Sequence, residues 1–457
     1  MAPKFGTSGL RGLVTELSDT LIADYLRAFM SSCDVGARVF VGHDLRPSSP
    51  NMANIVADEI RASARECVFC GAVPTPALAL AASGASAIMV TGSHIPADRN
   101  GLKFYTRVGE ITKADEAAIV GALGRPRGQS AVGGQTNLTT AGRDFVQRYV
   151  SAFGVGALTG RRIGVYAHSA VGRDLLSDCL KELGATVIVL APSDTFIPVD
   201  TEAVDPETRQ MFADWVRDHA LDAIASTDGD SDRPMLCDET GRVIPGDILG
   251  QVTAEALGAE VVVTPVSSNT GVLQKGFGQV IRTRIGSPFV IQAMERASGK
   301  VIGYEANGGT LLGFEAQAPT GSLCRLPTRD SFLPIIATLL AAGNGTLSER
   351  VAKEPPRFTA ADRLQGIDPD VSRRFLGGLT GADQVAFLAF SGAEPVGEDH
   401  TDGLRLMLSD GAIVHLRPSG NAPEFRLYAE ASDQARANDL LKNGLVALRE
   451  SMDRLSR

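Results

Sequence analysis

A serine and a histidine close an apolar run in residues 89–105, MVTGSHIPADRNGLKFY. Ala87-Ile88-Met89-Val90 reads as a buried strand that ends in Thr91-Gly92-Ser93-His94, and Lys103 follows ten residues after the serine. Between them lie a proline and Asn100-Gly101, which reads as a turn. A second cluster, STDGDSDRP, sets Asp228, Asp230 and Asp232 at alternate positions. On a helix such residues do not share a face. In a tight loop they can converge, and three oxygen ligands with open positions suit Mg²⁺. Spacing from Asp228 also mimics an EF-hand loop, but Arg233 stands where that loop needs glycine, and the preceding LDAIAS is strand-like. The plain alternative is a solvated acidic turn.

Charge counting links the two clusters. Three aspartates with one Mg²⁺ leave about −1, and a phosphoserine would add about −1.5 to −2. Such a group needs cations, and Arg233, His94 and Lys103 are the nearest candidates in the chain. Three further stretches carry weaker signals. FGTSGLRG (5–12) is either a flexible N-terminus or a backbone nest whose Arg11 reaches an anion. LRPSGNAPEFRLY (416–428) sets Arg417, Ser419, Gly420 and Asn421 beside Arg426, which suits a phosphate or a surface turn. GYEANGG (303–309) offers Glu305 and Asn307 to sugar hydroxyls, although a hairpin turn is the stronger reading of that stretch by itself.

The elements that must position these residues follow from pattern. The chain has 457 residues, is 44% apolar and 21% charged, and carries a net charge of −9. That length suggests several domains, and the acidic balance argues against nucleic acid as a partner. No apolar run approaches a membrane span. The start lacks a signal-peptide core, so a cytoplasmic location is expected. Six scattered cysteines form no disulfide framework, and Cys67-x-x-Cys70 lies in a strand-like stretch, where small buried residues are the simpler reading. A P-loop, a dinucleotide fingerprint and a nucleophile elbow are all absent from the sequence. Histidines 43, 168, 219, 400 and 415 have no metal spacing.

Strands and helices alternate through three similar cycles, each opening on a strand with a polar loop (VFVGHDLRPSS, GVYAHSAVGRD, VVVTPVSSNTG). Each closes on a strand with one of the unusual loops, TGSHIPADRNG, TDGDSDR or GYEANGG. Alternation of this kind implies mostly parallel sheets covered by helices, with ligands outside the carboxyl ends of the strands. The last stretch reads as strands followed by one long helix. The expected division is 1–150, 151–255 and 256–368 as α/β domains, then a smaller α+β domain at 369–457.

TGSHIPADRNGLK, DGDSDR, GYEANGG and RPSGNAPEFR, in this order and behind FGTSGLRG, resemble the α-D-phosphohexomutases over the whole chain. The resemblance implies three related α/β domains and a smaller α+β one around a central cleft. It implies a phosphorylated Ser93, Mg²⁺ held by Ser93, Asp228, Asp230 and Asp232, and Arg11 and Arg233 neutralising the phosphate. Lys103 would act as general acid or base with His94 nearby. Glu305 and Asn307 would meet the sugar, and Arg417, Ser419, Gly420 and Asn421 its far phosphate. The partner would be a phosphosugar, activated by glucose or mannose 1,6-bisphosphate, on a monomer or homodimer. The variant GYEANGG loop is most like that of bacterial phosphomannomutases; phosphoglucomutase and phosphoglucosamine mutase are the alternatives, then a Mg²⁺-dependent phosphatase or a non-catalytic sensor. Four departures from the family pattern bear on bracing and specificity: Ile95 for Asn, Asn307 for Ser, Asn421-Ala422 for Thr-Glu, and Ser287 where an acid often stands.

Overall fold

A computed structural model describes residues 3–6, 9–126, 131–419 and 423–455. It divides into two units, residues 1–263 with 286–353 and residues 264–285 with 354–457.

The first unit repeats one strand arrangement. In the first cycle, strand Arg38–His43 lies between Glu66–Ala72 and Ser86–Val90, parallel to both. Strand Arg99–Thr106 then returns antiparallel to Ser86–Val90. In the second cycle, Arg162–His168 lies between Thr186–Pro192 and Ala223–Thr227, again parallel to both, and Pro234–Asp238 returns antiparallel to Ala223–Thr227. In the third, Val261–Pro265 runs parallel to Val301–Tyr304, and Thr310–Leu312 returns antiparallel. Every unusual loop picked from the sequence therefore joins a parallel strand to its antiparallel return.

The inner strands Ser86–Val90 and Ala223–Thr227 are buried at every position, as expected of strands covered by helices on both faces. The covering helices carry their own start signals. Ser18 caps Asp19–Ser32 by accepting from the Leu21 N–H, and Asp205 caps Pro206–His219 through the Thr208 N–H. Among the described residues, no helix is long and apolar enough to cross a membrane.

The second unit is a five-stranded antiparallel sheet in the order Phe358–Gln365, Glu424–Ala431, Ile413–Pro418, Leu404–Leu408, Pro395–Asp399. Helix Gln434–Leu455 packs on it through Leu440, Leu448 and Met452. Its edge strand Phe358–Gln365 comes from ahead of residue 369.

One local reading is corrected. Asn100-Gly101 is not a turn. Both residues lie in strand Arg99–Thr106, which also pairs with Leu10–Leu13. The Asn100 amide donates to Ser48 and Ser49 hydroxyls, which satisfies it within a sheet. Gly101 is required by closeness, because a Cβ there would sit 2.2 Å from the Leu10 carbonyl oxygen. Gly101→Ala is expected to cost about 1–3 kcal/mol by forcing the two strands apart, measured by denaturant unfolding; wild-type stability in that variant would contradict the tight pairing.

A second prediction concerns pH. His168 is fully buried, its Nε2 lies 2.8 Å from the Thr227 carbonyl, and burial holds its pKa down at about 4 against an ordinary 6.5. The folded state thus favours the neutral ring. Its contribution is complete above pH 6.5 and is lost as pH falls toward 4. Unfolding free energy measured across that window is expected to fall more steeply in the wild type than in His168→Gln.

Candidate active site

Ser93 follows strand Ser86–Val90 in left-handed backbone, with φ of 54°. That conformation is uncommon for a residue with a Cβ. Its N–H donates to the Thr91 hydroxyl at 2.8 Å. Arg46 braces what comes next. This arginine has no exposed surface, and it donates to the carbonyls of Ser93, Ile95, Pro96 and Arg99 at 2.6–2.9 Å. Asp44 pairs with Arg46 and accepts from Thr91 and Ser49 as well. Gly92 gives Arg46 its space, since a Cβ there would lie 2.6 Å from the guanidinium carbon. Ile95 is held through its carbonyl, so its departure in side chain leaves this bracing intact.

The aspartate loop is equally constrained. The Asp228 N–H donates to the Arg233 carbonyl, the Ser231 N–H to the Asp228 carbonyl, and Ser231 is itself left-handed at φ 58°. A Cβ on Gly229 would lie 2.9 Å from the Ser93 carbonyl oxygen. All three aspartates are fully buried, and one oxygen from each lies within 4.8 Å of the others. This is no solvated turn.

Ser93 and the aspartates meet directly. The Ser93 hydroxyl donates to Asp228 Oδ2 at 2.7 Å. Lys103 Nζ donates to Asp230 Oδ2 at 2.6 Å and Asp232 Oδ2 at 2.5 Å, and Thr75 donates to Asp230 at 2.5 Å. Arg329 Nη2 lies 2.8 Å from Asp232 Oδ2. Burial, then Asp230 and Asp232, push the Asp228 carboxyl well above the usual range. Burial also opposes ionisation of the other two. Lys103 and Thr75 nevertheless hold Asp230 below its ordinary value, and Arg329 leads the groups that do so for Asp232.

Two carboxylate oxygens, Asp230 Oδ1 and Asp232 Oδ1, are buried without a hydrogen-bond partner. Orphaned anionic oxygens are costly. Together with Asp228 and the Ser93 hydroxyl they form an all-oxygen donor set that fits a hard divalent cation such as Mg²⁺.

Around this centre stand Arg11 and Arg233. Arg11 lies on strand Leu10–Leu13, and burial, with Arg233 and Arg329 next in effect, lowers its pKa to about 10. Arg233 Nε is buried 3.9 Å from Asp232 Oδ1. His94 Nδ1 is 3.3 Å from the Ser93 hydroxyl, and burial, then Arg233 and Arg11, push its pKa down to about 2.

Glu305 and Asn307 occupy the hairpin turn between Val301–Tyr304 and Thr310–Leu312, so the turn expected of this stretch is present. Asn307 Oδ1 accepts from the Gly309 N–H, and its Nδ2 is 3.5 Å from Glu305 Oε2. Arg329 Nη1 reaches the same Glu305 oxygen at 3.3 Å. Ser287 is buried with its hydroxyl on Glu110.

In the second unit, Arg417 pairs with Asp402 at 2.9 Å, and the Ser419 N–H donates to the Glu424 carbonyl. Gly420 and Asn421 lie outside the described residues. Cys67 and Cys70 are buried in strand Glu66–Ala72, and burial pushes their thiols up to about 11 and about 12.

Sequence reasoning missed Arg46, Asp44, Thr75, Thr91 and Arg329. Arg329 had one signal: Arg329-Asp330 is a charged pair set just ahead of the apolar helix Phe332–Ala341.

Four family models match in chain order, described as phosphoglucomutase/phosphomannomutase alpha/beta/alpha domains I, II and III and C-terminal domain, at residues 2–126, 143–241, 245–358 and 381–443. A phosphomannomutase of Sinorhizobium fredii is 44% identical over 99% of this chain and 100% of its own. One from Salmonella muenchen is 42% identical over 98% and 96%. A crystal structure of a phosphoglucomutase/phosphomannomutase family protein from Burkholderia thailandensis shares the fold, with a TM-score of 0.81, 20% identity, and 98% and 97% of the two chains covered. With every domain matched in order and relatives aligned from end to end, the chain belongs to the phosphoglucomutase/phosphomannomutase family.

Proposed function

We propose that the protein interconverts mannose 6-phosphate and mannose 1-phosphate through phospho-Ser93 and a bisphosphorylated sugar. The observation that carries the reading is the Ser93 hydroxyl, 2.7 Å from Asp228 inside a buried carboxylate cluster. The names of the two relatives at 42% and 44% identity support mannose as the sugar.

A sugar hydroxyl oxygen attacks the phosphorus of phospho-Ser93. The bond from phosphorus to Ser93 Oγ breaks, and the hydroxyl proton passes to a base. In the return step the serine oxygen takes the other phosphoryl group, and the sugar oxygen recovers a proton. Lys103, on the return strand beside Asp230 and Asp232, is the proton carrier. Neutral His94 accepts a hydrogen bond from, or donates one to, the serine oxygen. Arg11 and Arg233 neutralise the phosphoryl group, whose transfer depends on positioning and charge more than on covalent help. Asp228, Asp230 and Asp232 would hold Mg²⁺, which when bound supplies positive charge to the poor serine leaving group. Glu305 and Asn307 bind sugar hydroxyls, and Arg417 and Ser419 a phosphate. A trace of glucose or mannose 1,6-bisphosphate keeps Ser93 charged.

Phosphorus NMR on a mixture of mannose, glucose and glucosamine 1-phosphates, with Mg²⁺ and a trace of glucose 1,6-bisphosphate, tests this. The mannose 1-phosphate signal should pass fastest to its 6-phosphate; growth of inorganic phosphate alone would favour a phosphatase. Ser93→Ala should lose about a thousandfold or more in turnover while still binding substrate. Retained turnover would remove Ser93 as the carrier. Asp230→Asn should abolish the rise in melting temperature that Mg²⁺ gives the wild type, a gain of about 2.7 kcal/mol at a hundred times Kd. An undiminished Mg²⁺ shift in that variant would exclude Asp230 as a ligand.

A further inference from the structure

We infer that Arg329 determines sugar specificity by locking the orientation of Glu305 against the aspartate loop. The inference rests on the mutase reading of the same site and adds a residue and a role to it.

Glu305 lies in a hairpin turn and is 5% exposed. A carboxylate on a glutamate has a soft terminal torsion, so something must fix which oxygen faces a ligand. Oε2 is committed, with Arg329 Nη1 at 3.3 Å and the Asn307 amide at 3.5 Å. Among the described residues, Oε1 accepts no hydrogen bond, and it is the oxygen left for a hydroxyl. Arg329 is itself buried and paired. It is 3% exposed, its Nη2 is paired with Asp232 at 2.8 Å, and it lies on strand Leu326–Asp330, which pairs with Thr310–Leu312.

The residues flanking Arg329 point to the other face of that strand and have structural partners. Thr328 donates to Glu110, and Asp330 accepts from the N–H groups of Phe332 and Leu333. Gly309 lets the arginine stem pass, since a Cβ there would lie 2.9 Å from Arg329 Cγ and Cδ. One guanidinium thus spans two carboxylates on two different loops. Lysine, a single point of charge, cannot reproduce that fork.

The consequence concerns hydroxyl geometry. A carboxylate fixed in rotation accepts from one arrangement of sugar hydroxyls and leaves the other unpaired, which is how a polar site discriminates. A carboxylate free to turn accommodates both. Arg329 is therefore a positioning residue acting through Glu305.

The test is kcat and KM for mannose 1-phosphate and glucose 1-phosphate, epimers at C2, on wild type, Arg329→Lys and Gly309→Ala. Arg329→Lys should raise KM for the preferred sugar about tenfold, with a smaller change in kcat, and bring the ratio of kcat/KM between the epimers toward one. Gly309→Ala keeps the arginine but displaces its stem. Gly309 has no positive φ, so its backbone conformation is open to alanine and only the Arg329 stem must give way. It should shift the ratio in the same direction by a smaller factor, and it keeps the inference testable if Arg329→Lys does not fold. An unchanged KM and epimer ratio in a folded variant would overturn the inference, as would an equal fall in kcat for both sugars with KM unmoved. Both results presuppose an active wild type; a wild type that turns over neither sugar would instead defeat the mutase reading on which the inference stands.

Discussion

Three carboxylates are gathered out of water with an oxygen of each inside 4.8 Å of the others. At that distance and an effective dielectric constant near 20, each pair of full charges repels by about 3 kcal/mol. Three pairs approach the whole stability of an ordinary domain. Folding such a cluster demands cations: Arg233 comes from the aspartate loop itself, and the fold brings Arg11, Lys103 and Arg329 from three other segments. Glu305 joins as a fourth carboxylate through Arg329. Glu110 and Glu202 also act on Arg329 and Arg233, and Asp228 is pushed toward its neutral form, so repulsion in the cluster is relieved by protonation as well as by cations.

The serine loop answers a different demand. Ser93 in left-handed backbone costs roughly 1–3 kcal/mol, a cost that persists only where the surroundings over-determine the conformation. Arg46 does this through four carbonyls, with Asp44 as its counter-charge and the Phe196 ring 4.0 Å from its guanidinium. The brace grips backbone and leaves side chains free. Ile95 can therefore stand in a position where the family usually has asparagine without loosening the nucleophile. A carrier that must present its oxygen to two different hydroxyls gains from being fixed from behind.

Much of this was legible in the sequence where the groups that act together are neighbours in the chain. Asp228, Asp230 and Asp232 announced themselves by spacing, and Ser93 by the strand that ends before it. Arg329 and Arg46 did not, because each serves partners far away in sequence: Asp232 lies 97 positions before Arg329, and the Ser93 carbonyl 47 after Arg46. A single arginine in a loop or short strand, as in HDLRPSS or LPTRDS, has no period or motif to show which distant groups it serves. Asn100-Gly101 misled for the opposite reason. Its local preference is for a turn, but the amide found Ser48 and Ser49, and the glycine found the Leu10 carbonyl, so tertiary contacts overrode propensity.

The spacing of ten between Ser93 and Lys103 now has a geometric cause. Strand Ser86–Val90 carries the chain out to Ser93, and Arg99–Thr106 brings it back antiparallel, with Lys103 opposite Met89. The lysine thus returns to the end of the sheet it has just left, and its long stem covers the remaining distance to Asp230 and Asp232. A parallel continuation would have carried it to the far end of the next crossover. The same reversal follows the aspartate loop and the Glu305 turn. In the first cycle the return strand delivers Lys103, in the second Pro234 closes the loop immediately, and in the third Thr310–Leu312 pairs with the strand that bears Arg329. One topological device, repeated, supplies a loop at the carboxyl end of a parallel strand and a rigid element to answer it. The three loops thus occupy equivalent places in three sheets although their sequences differ.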